Sequence, residues 1–519
     1  MIQILLWLPI AVGLACFLIP RRYVGWWSFA GTIVTLGLAV YLLADFQPGV
    51  AGVQHMVDES WIPGLGVRYQ LGVDGLSIFL VLLTAVGWAA ATAFSALREP
   101  DRPQNYYFFF GLAQTAVLGA FFAQDLLLFV LFFDLMLIPF FMLIGIWGGR
   151  ERIAATIKMI VYTLIGSLLM LVGAIATAVL AADSIGQISF SMAELQANVL
   201  SEGSQDWIFW FFAAAFLVKM PAFLVHGWMP DAYRAAPLAV LALLSGVLSK
   251  VGAYGFLKIV LPIFPDASIQ FQEILLIIGV ASILYGSAMA FTQTNVRLVA
   301  GYSSVAQLGF ITIGIFALQS VGADGSVLQM LNHGLVVVPV FIIIALLYER
   351  SGTEDLREMG GLAFRAPVLA VMFLIVTMAT LAIPGSANFI GEFYILNGVF
   401  QSEIVFAFIA VIGVAGAAFY ALRLYQKTMH NRLPEGMESR EISLRDGLIL
   451  GPLVALIVAA AVYPNFILDR TDASSAASVA SVCVDSDTRI ELAESGDSIN
   501  CSEDVPDEGA EVAAAGGDE

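Results

Sequence analysis

The chain has 519 residues, 60% hydrophobic and only 12% charged, with a mean hydropathy of +0.88 and a formal net charge of −18. A soluble domain carries about 25% charged residues, so this chain cannot cover its own surface with polar groups, and a soluble enzyme is excluded. Three cysteines are too few for a disulfide scaffold, no basic block points to nucleic acid, and apolar runs of about 20 residues match membrane-spanning helices rather than barrel strands.

An all-α polytopic membrane protein is therefore expected, with fourteen apolar spans near 2–20, 24–44, 74–97, 106–122, 125–147, 158–182, 207–228, 238–261, 273–292, 296–319, 326–348, 367–396, 404–428 and 446–465. The first has no basic residues before it and reads as an uncleaved helix rather than a signal peptide. Residues 1–105 hold the first three spans, 106–261 and 273–428 hold two blocks of five, and 446–465 is the last span. Residues 471–519 carry 13 Asp and Glu against Arg489 alone, with many Ala, Ser and Gly, and read as an acidic, disordered tail.

Basic residues set the orientation. Loops and helix ends after odd-numbered spans collect seventeen Lys and Arg. The opposite side has Arg68, Arg470 and Arg489, and Lys219, Lys250 and Lys258 lie inside spans. Both termini should then be extracytoplasmic in a cell (cytoplasmic) membrane. A disulfide between Cys483 and Cys501 is chemically allowed there, although two free thiols is the plainer reading.

Four ionisable residues sit deep in apolar sequence. Asp134 lies nine residues past Asp125, about 14 Å along a helix and so near the middle of a bilayer core about 30 Å thick. Lys219, Lys250 and Glu392 lie in FFAAAFLVKMPAF, LLSGVLSKVGAYGF and SANFIGEFYIL contexts of the same kind, and His333 is central in its span. A charge in hydrocarbon costs several kcal/mol unless it faces a bundle interior, a partner or water. A static Asp134–Lys219 ion pair is one reading of the set. A path is the other: burial disfavours a charged amine and a nearby carboxylate favours it, so separating the two would let the amine release its proton.

Proline breaks the backbone near two of these charges. Lys219-Met-Pro221 interrupts the seventh span and Ile383-Pro384-Gly385 the twelfth. Non-helical backbone at membrane depth is tolerated where protein or a watery cavity surrounds it. The broken span is fourth in each block of five, spans 4–8 and 9–13. Five is odd, so the second block enters the membrane from the other side, the inverted-repeat layout of transporters. Other candidates are weaker. His226 lies toward the cytoplasmic end of the seventh span, and a satisfied core histidine is the plain reading of His333. Cys16 is a lone thiol, no nucleotide or metal motif occurs, and no flavin, haem or iron–sulfur ligand set is present.

Several segments resemble one family: LGVDGLSIFLVLLT (71–84), DLMLIPFFMLIGIWGG (134–149), VKMPAFLVHGWMPDAY (218–233), LSKVGAYGFLKIVLP (248–262), AGYSSVAQLGFITIGI (300–315), MLNHGL (330–335), LYER (347–350) and IPGSANFIGEFYIL (383–396). They are similar to the antiporter-like subunits of respiratory complex I, NADH–quinone oxidoreductase, over roughly residues 70–430. The resemblance implies a fourteen-helix fold with two inverted five-helix repeats and one proton pathway, driven by quinone reduction elsewhere. It implies that Asp134 is the carboxylate paired with a pumping lysine, Lys219, that Lys250 connects, that His333 relays, and that Glu392 is the exit group. An acid at 392 resembles the M-type branch, since the L- and N-type branches look lysine-bearing there. The same resemblance implies L- and N-type neighbours in the bilayer, with NADH, flavin, iron–sulfur clusters and quinone in other subunits and no cofactor in this chain.

Departures are visible. The family usually has Glu where this chain has Asp134, and often His at Tyr233 and Gln307. Gln307 does not titrate, so a relay through it needs water or a neighbour. Two other functions share the buried charges or the fold: a subunit of a multi-subunit cation/proton antiporter or membrane-bound hydrogenase, and a non-pumping structural spacer. Neighbouring genes separate the first, and replacement of Lys219 separates the second. The orientation is testable directly. A membrane-impermeant thiol reagent should label Cys501 from outside the cell only; labelling from the cytoplasmic face alone overturns the sidedness.

Overall fold

The computed structural model describes residues 1–434 and 440–483. Among them, ten helices are long and apolar enough to cross a membrane: Arg21–Asp45, Ile78–Ala96, Leu126–Trp147, Arg152–Ile185, Leu238–Ile263, Gln272–Thr292, Val296–Ile315, Ser320–Ser351, Ile404–Met429 and Leu444–Val462. The other four expected spans hold helices at Ile2–Ala15, Pro103–Phe122, Glu202–Lys219 and Pro367–Thr380, the last followed by Ala387–Ser402.

Burial divides the helices into inner and outer sets. The most apolar stretches of Leu238–Ile263, Val296–Ile315 and Ser320–Ser351 are fully buried in protein, whereas only 22% of that in Leu444–Val462 and 33% of that in Arg21–Asp45 is. With no water in a bilayer to drive helices together, an inner helix is held by close packing, and small residues permit it. Gly309 and Gly279 lie so close that a Cβ on Gly309 would meet the Gly279 carbonyl oxygen at 2.6 Å.

Prolines account for the irregular backbone. Pro139 has no N–H to give the carbonyl of Leu135, and the helix is interrupted at Met136, one turn before it. The Glu202–Lys219 helix ends at Lys219, two residues before Pro221. Residues 220–225 follow without helix, and Leu224 has φ +76°. The Pro367–Thr380 helix ends likewise before Pro384, with Ala382 at φ +52° and Gly385 at φ +94°. Leu238–Ile263 is not a plain α-helix either: Leu244–Leu248 and Phe256–Val260 are π turns. Such turns are frequent at functional sites.

One motif occurs twice. Asp125 caps the helix that starts at Leu126, accepting from Leu128 N, and Asn295 caps the helix that starts at Val296, accepting from Leu298 N. Leu126 N donates to Phe190 O at 2.7 Å and Met192 N to Gln124 O at 3.0 Å. Val296 N donates to Glu354 O at 3.0 Å and Leu356 N to Thr294 O at 2.8 Å.

Two features differ from expectation. Gln54–Ile62 and Val67–Val73 form an antiparallel hairpin, closed over the Pro63–Leu65 turn with Gly66 in the left-handed region. The alternation in VRYQLGV and the Pro-Gly turn carry that signal, which the length of apolar runs does not register. The second is a correction: the segment from 471 is not disordered from its start. Asn465–Cys483 is a helix, with Ala473, Ala476, Val479 and Ala480 buried. Gly75 N donates to Ser474 Oγ at 3.0 Å, Gly49 N to Asp469 O at 3.1 Å, and Ser475 Oγ donates to Asp324. Composition rich in Ala and Ser reads as solvated coil, yet small residues are also what lets a helix lie close against others. A Cys483–Cys501 disulfide would involve Cys501, which lies outside the described residues. Val479→Asp should place a carboxylate on this buried face and destabilise the protein by at least about 2 kcal/mol, read as a lower thermal midpoint of the purified assembly. An unchanged midpoint would mean that the helix does not dock.

Candidate functional site

The buried polar groups form a row through the inner helices. At one end is Asp134, half-buried, with Oδ1 unpartnered. Lys219 lies within electrostatic reach of it, but no hydrogen bond or direct ion pair joins them. Lys219 Nζ has no hydrogen-bond acceptor and sits 4.3 Å from the centre of the Phe133 ring. Two local features accommodate its charge. The ring face attracts a cation, and Lys219 is the last residue of its helix, where the free carbonyls carry partial negative charge. The break at Pro221 thus creates the environment that holds the lysine.

Beyond Lys219 is a cavity of about 10 Å³ lined by Thr163, Lys219, Tyr233 and Ser249 among others, close to the smallest volume that holds one water. Ser249 forms its far side and accepts from Lys250 Nζ at 3.3 Å. Lys250 is fully buried and also donates to Ser245 O at 2.9 Å, a carbonyl of the π turn one turn back. Its third contact is His333 Nδ1 at 2.9 Å. The other ring nitrogen, Nε2, is buried without a partner.

His333 forms part of a second cavity, of about 20 Å³, with Ser303, Gln307, Asn388 and Tyr420. Gln307 leads out of it: Nε2 donates to Glu392 Oε1 at 2.7 Å, and Oε1 accepts from Gln329 Nε2 at 2.6 Å. Glu392 lies on Ala387–Ser402, the helix that restarts after the second break. The order is therefore Asp134, Lys219, cavity, Ser249–Lys250–His333, cavity, Gln307–Glu392.

The structure brings Lys250 and His333 into direct contact and leaves Asp134 and Lys219 apart. His226 lies in the segment after the first break, 4.8 Å from the Tyr285 ring centre, outside this row. Ser245, Ser249, Gln329 and Asn388 escape a sequence search because neutral side chains carry no sign of depth. A further ion pair, between buried Asp74 and partly buried Lys258 at 2.7 Å, joins positions 184 residues apart, beyond the reach of spacing. Among the described residues, no group of three or more His, Cys, Asp and Glu is placed to hold a metal ion.

A family model described as NADH:quinone oxidoreductase/Mrp antiporter, TM, matches residues 123–419. The chain belongs to this family. Subunit M of NADH-quinone oxidoreductase from Rhodobacter capsulatus is 37% identical over 485 residues, 90% of this chain and 94% of that protein. A chain of respiratory complex I from Thermus thermophilus, solved with bound NADH, matches with a TM-score of 0.86 at 28% identity, covering 93% of this chain and 100% of that one. A chain of the Mrp complex from Dietzia sp. DQ12-45-1b shares the fold, with a TM-score of 0.80 at 20% identity over 92% and 97% of the two chains. The resemblance read from the sequence is borne out.

Replacing Gln307 by Leu keeps its bulk and removes both of its hydrogen bonds. Glu392 Oε1 and Gln329 Nε2 then lose their partners, so Gln307→Leu should destabilise the protein by about 2–4 kcal/mol. Thermal unfolding of the purified assembly checks it; a loss below about 1 kcal/mol would mean that other groups replace the amide.

Proposed function

We propose that this chain is the M-type, proton-translocating membrane subunit of a complex I-type NADH:quinone oxidoreductase. It moves protons along the row from Asp134 to Glu392, coupled to quinone reduction in other subunits. The observation that carries the reading is the unbroken alternation of titratable groups with polar or water-sized connectors between Lys219 and Glu392. A packing element needs no such row. The 37% identity to a subunit M over 90% of this chain favours this reading over an antiporter subunit, where the likeness is in fold at 20% identity.

The finer architecture belongs to the same proposal. Fourteen spans, with inverted repeats at 106–261 and 273–428, are supported by the paired breaks at Lys219 and Thr380 and by the twice-used cap and crossing strand segments. Extracytoplasmic termini in the cytoplasmic membrane follow from the basic loops. L- and N-type subunits are the expected lateral partners. NADH, flavin, iron–sulfur clusters and quinone are assigned to other subunits.

The geometry suggests how the row works. Lys219 and Asp134 stand apart, so each charge is poorly compensated, and a small movement at the Met136 and Pro221 interruptions would change their separation. At an illustrative 4 Å and an effective dielectric of 20, a unit-charge pair is worth about 4 kcal/mol. Closing the pair would hold a proton on Lys219, and opening it would release that proton toward Ser249 and Lys250.

Lys219→Ala should leave the assembly in the membrane and reduce proton translocation at least tenfold in proteoliposomes with a pH-sensitive dye. Pumping at the parental rate would remove Lys219 from the path. Asp134→Asn should also fail near neutral pH, whereas Asp134→Glu, which brings the carboxylate one methylene nearer, should pump. An active Asn variant would make the pair structural, and a dead Glu variant would mean that the site is packed around the shorter acid.

A further inference from the structure

Asn388 is fully buried, and neither its Oδ1 nor its Nδ2 has a hydrogen-bond partner. Its neighbours explain why it stays in place: Ser386 caps the helix through Phe389 N, and Asn332 Nδ2 holds the Ala387 carbonyl at 2.9 Å. They do not satisfy its amide. An asparagine at the start of a helix normally bonds the backbone or water, so a wholly unsatisfied buried amide calls for an unassigned partner.

Two further groups around it share that condition. His333 Nε2 and Tyr420 Oη are buried without partners. His333, Asn388 and Tyr420 line the same cavity, whose volume of about 20 Å³ exceeds the 10–15 Å³ or so that one water requires. Polar atoms on three sides match the two to four hydrogen bonds that a buried water makes.

Gln307 is the fourth wall, and its amide is already committed on both ends, to Glu392 and to Gln329. An amide does not gain or lose a proton at neutral pH, so it cannot pass one from His333 to Glu392. Asn388 stands four residues before Glu392 on the same helix and hence on the same face.

We propose that Asn388 is a positioning residue which, with Tyr420, holds one water as the proton carrier between His333 and Glu392. The inference rests on the proton-translocation reading above. The transfer balances. Lys250 loses an N–H proton to His333 Nδ1 as Nε2–H gives its proton to the water, and the water passes another of its protons to the Glu392 carboxylate. The products are a neutral amine, a neutral imidazole protonated on Nδ1, the same water and a carboxylic acid. One proton has moved and no other reactant is needed.

The test uses the intact purified assembly in proteoliposomes. Asn388→Leu, close in shape but without polar atoms, should reduce proton translocation about tenfold or more. Tyr420→Phe should give a smaller loss. Asn388→Ser, which keeps a hydroxyl and makes room for a second water, should recover most of the rate. Parental pumping by Asn388→Leu overturns the inference, and so does a Ser variant as inactive as Leu, since that pattern marks packing. Lys219→Ala is the companion control. If it pumps normally, the functional reading itself fails; if it is inactive while Asn388→Leu pumps, only the water carrier fails. Should Asn388→Leu not assemble, a high-resolution structure of the native assembly decides: ordered density within hydrogen-bond reach of Asn388 and His333 Nε2 supports the carrier, and its absence overturns it.

Discussion

Lys250 is enclosed by apolar helices, and its ammonium reaches three acceptors: a backbone carbonyl, a hydroxyl and His333 Nδ1. The rest of the interior is organised around keeping those acceptors within reach. The π turn at Leu244–Leu248 presents the Ser245 carbonyl to the lysine. The Ser320–Ser351 helix, whose apolar core is wholly enclosed, brings His333 to the other side. A buried ammonium without such acceptors would cost several kcal/mol, so these helices cannot slide freely against one another.

Lys219 shows the contrasting arrangement. Its ammonium has a helix end and an aromatic face but no hydrogen-bond acceptor. One lysine is tightly held and the other loosely held, with a water-sized cavity between them. That difference gives the row a direction in which charge can be rearranged: the loosely held site responds to Asp134, and the tightly held one passes the change to His333. The two proline-broken segments lie beside the loosely held lysine and beside the helix of Glu392. Backbone adjustment is therefore available near both ends of the row, and rigid packing near its middle.

Much of this was legible in the sequence because charge is conspicuous in hydrocarbon. Asp134, Lys219, Lys250 and Glu392 stand out from their apolar surroundings, and Pro221 and Pro384 mark the breaks. The connectors were not legible. Ser249, Gln329 and Asn388 are unremarkable in composition; Ser249 and Asn388 matter because of the cavities they line, and Gln329 because it holds the Gln307 amide. The hairpin at Gln54–Val73 is not legible from apolar span length, because its signal is a short alternating pattern and not a run of about 20 apolar residues. The Asn465–Cys483 helix is not legible from composition, because Ala and Ser suit a solvated tail and a closely docked helix equally well; contacts with Gly49, Gly75 and Asp324 decide between them, and these lie at least 151 residues away in the chain.

The central claim is that a single row of groups carries protons through this chain, with the Lys250–His333 contact as its obligatory middle link. The direct measurement is the number of protons translocated per quinone reduced by the reconstituted assembly bearing Lys250→Met, which keeps the length and apolar stem of the side chain. The account predicts a clear fall in that ratio with the assembly intact. An unchanged ratio would contradict it, because protons would then be crossing without the link on which the row depends.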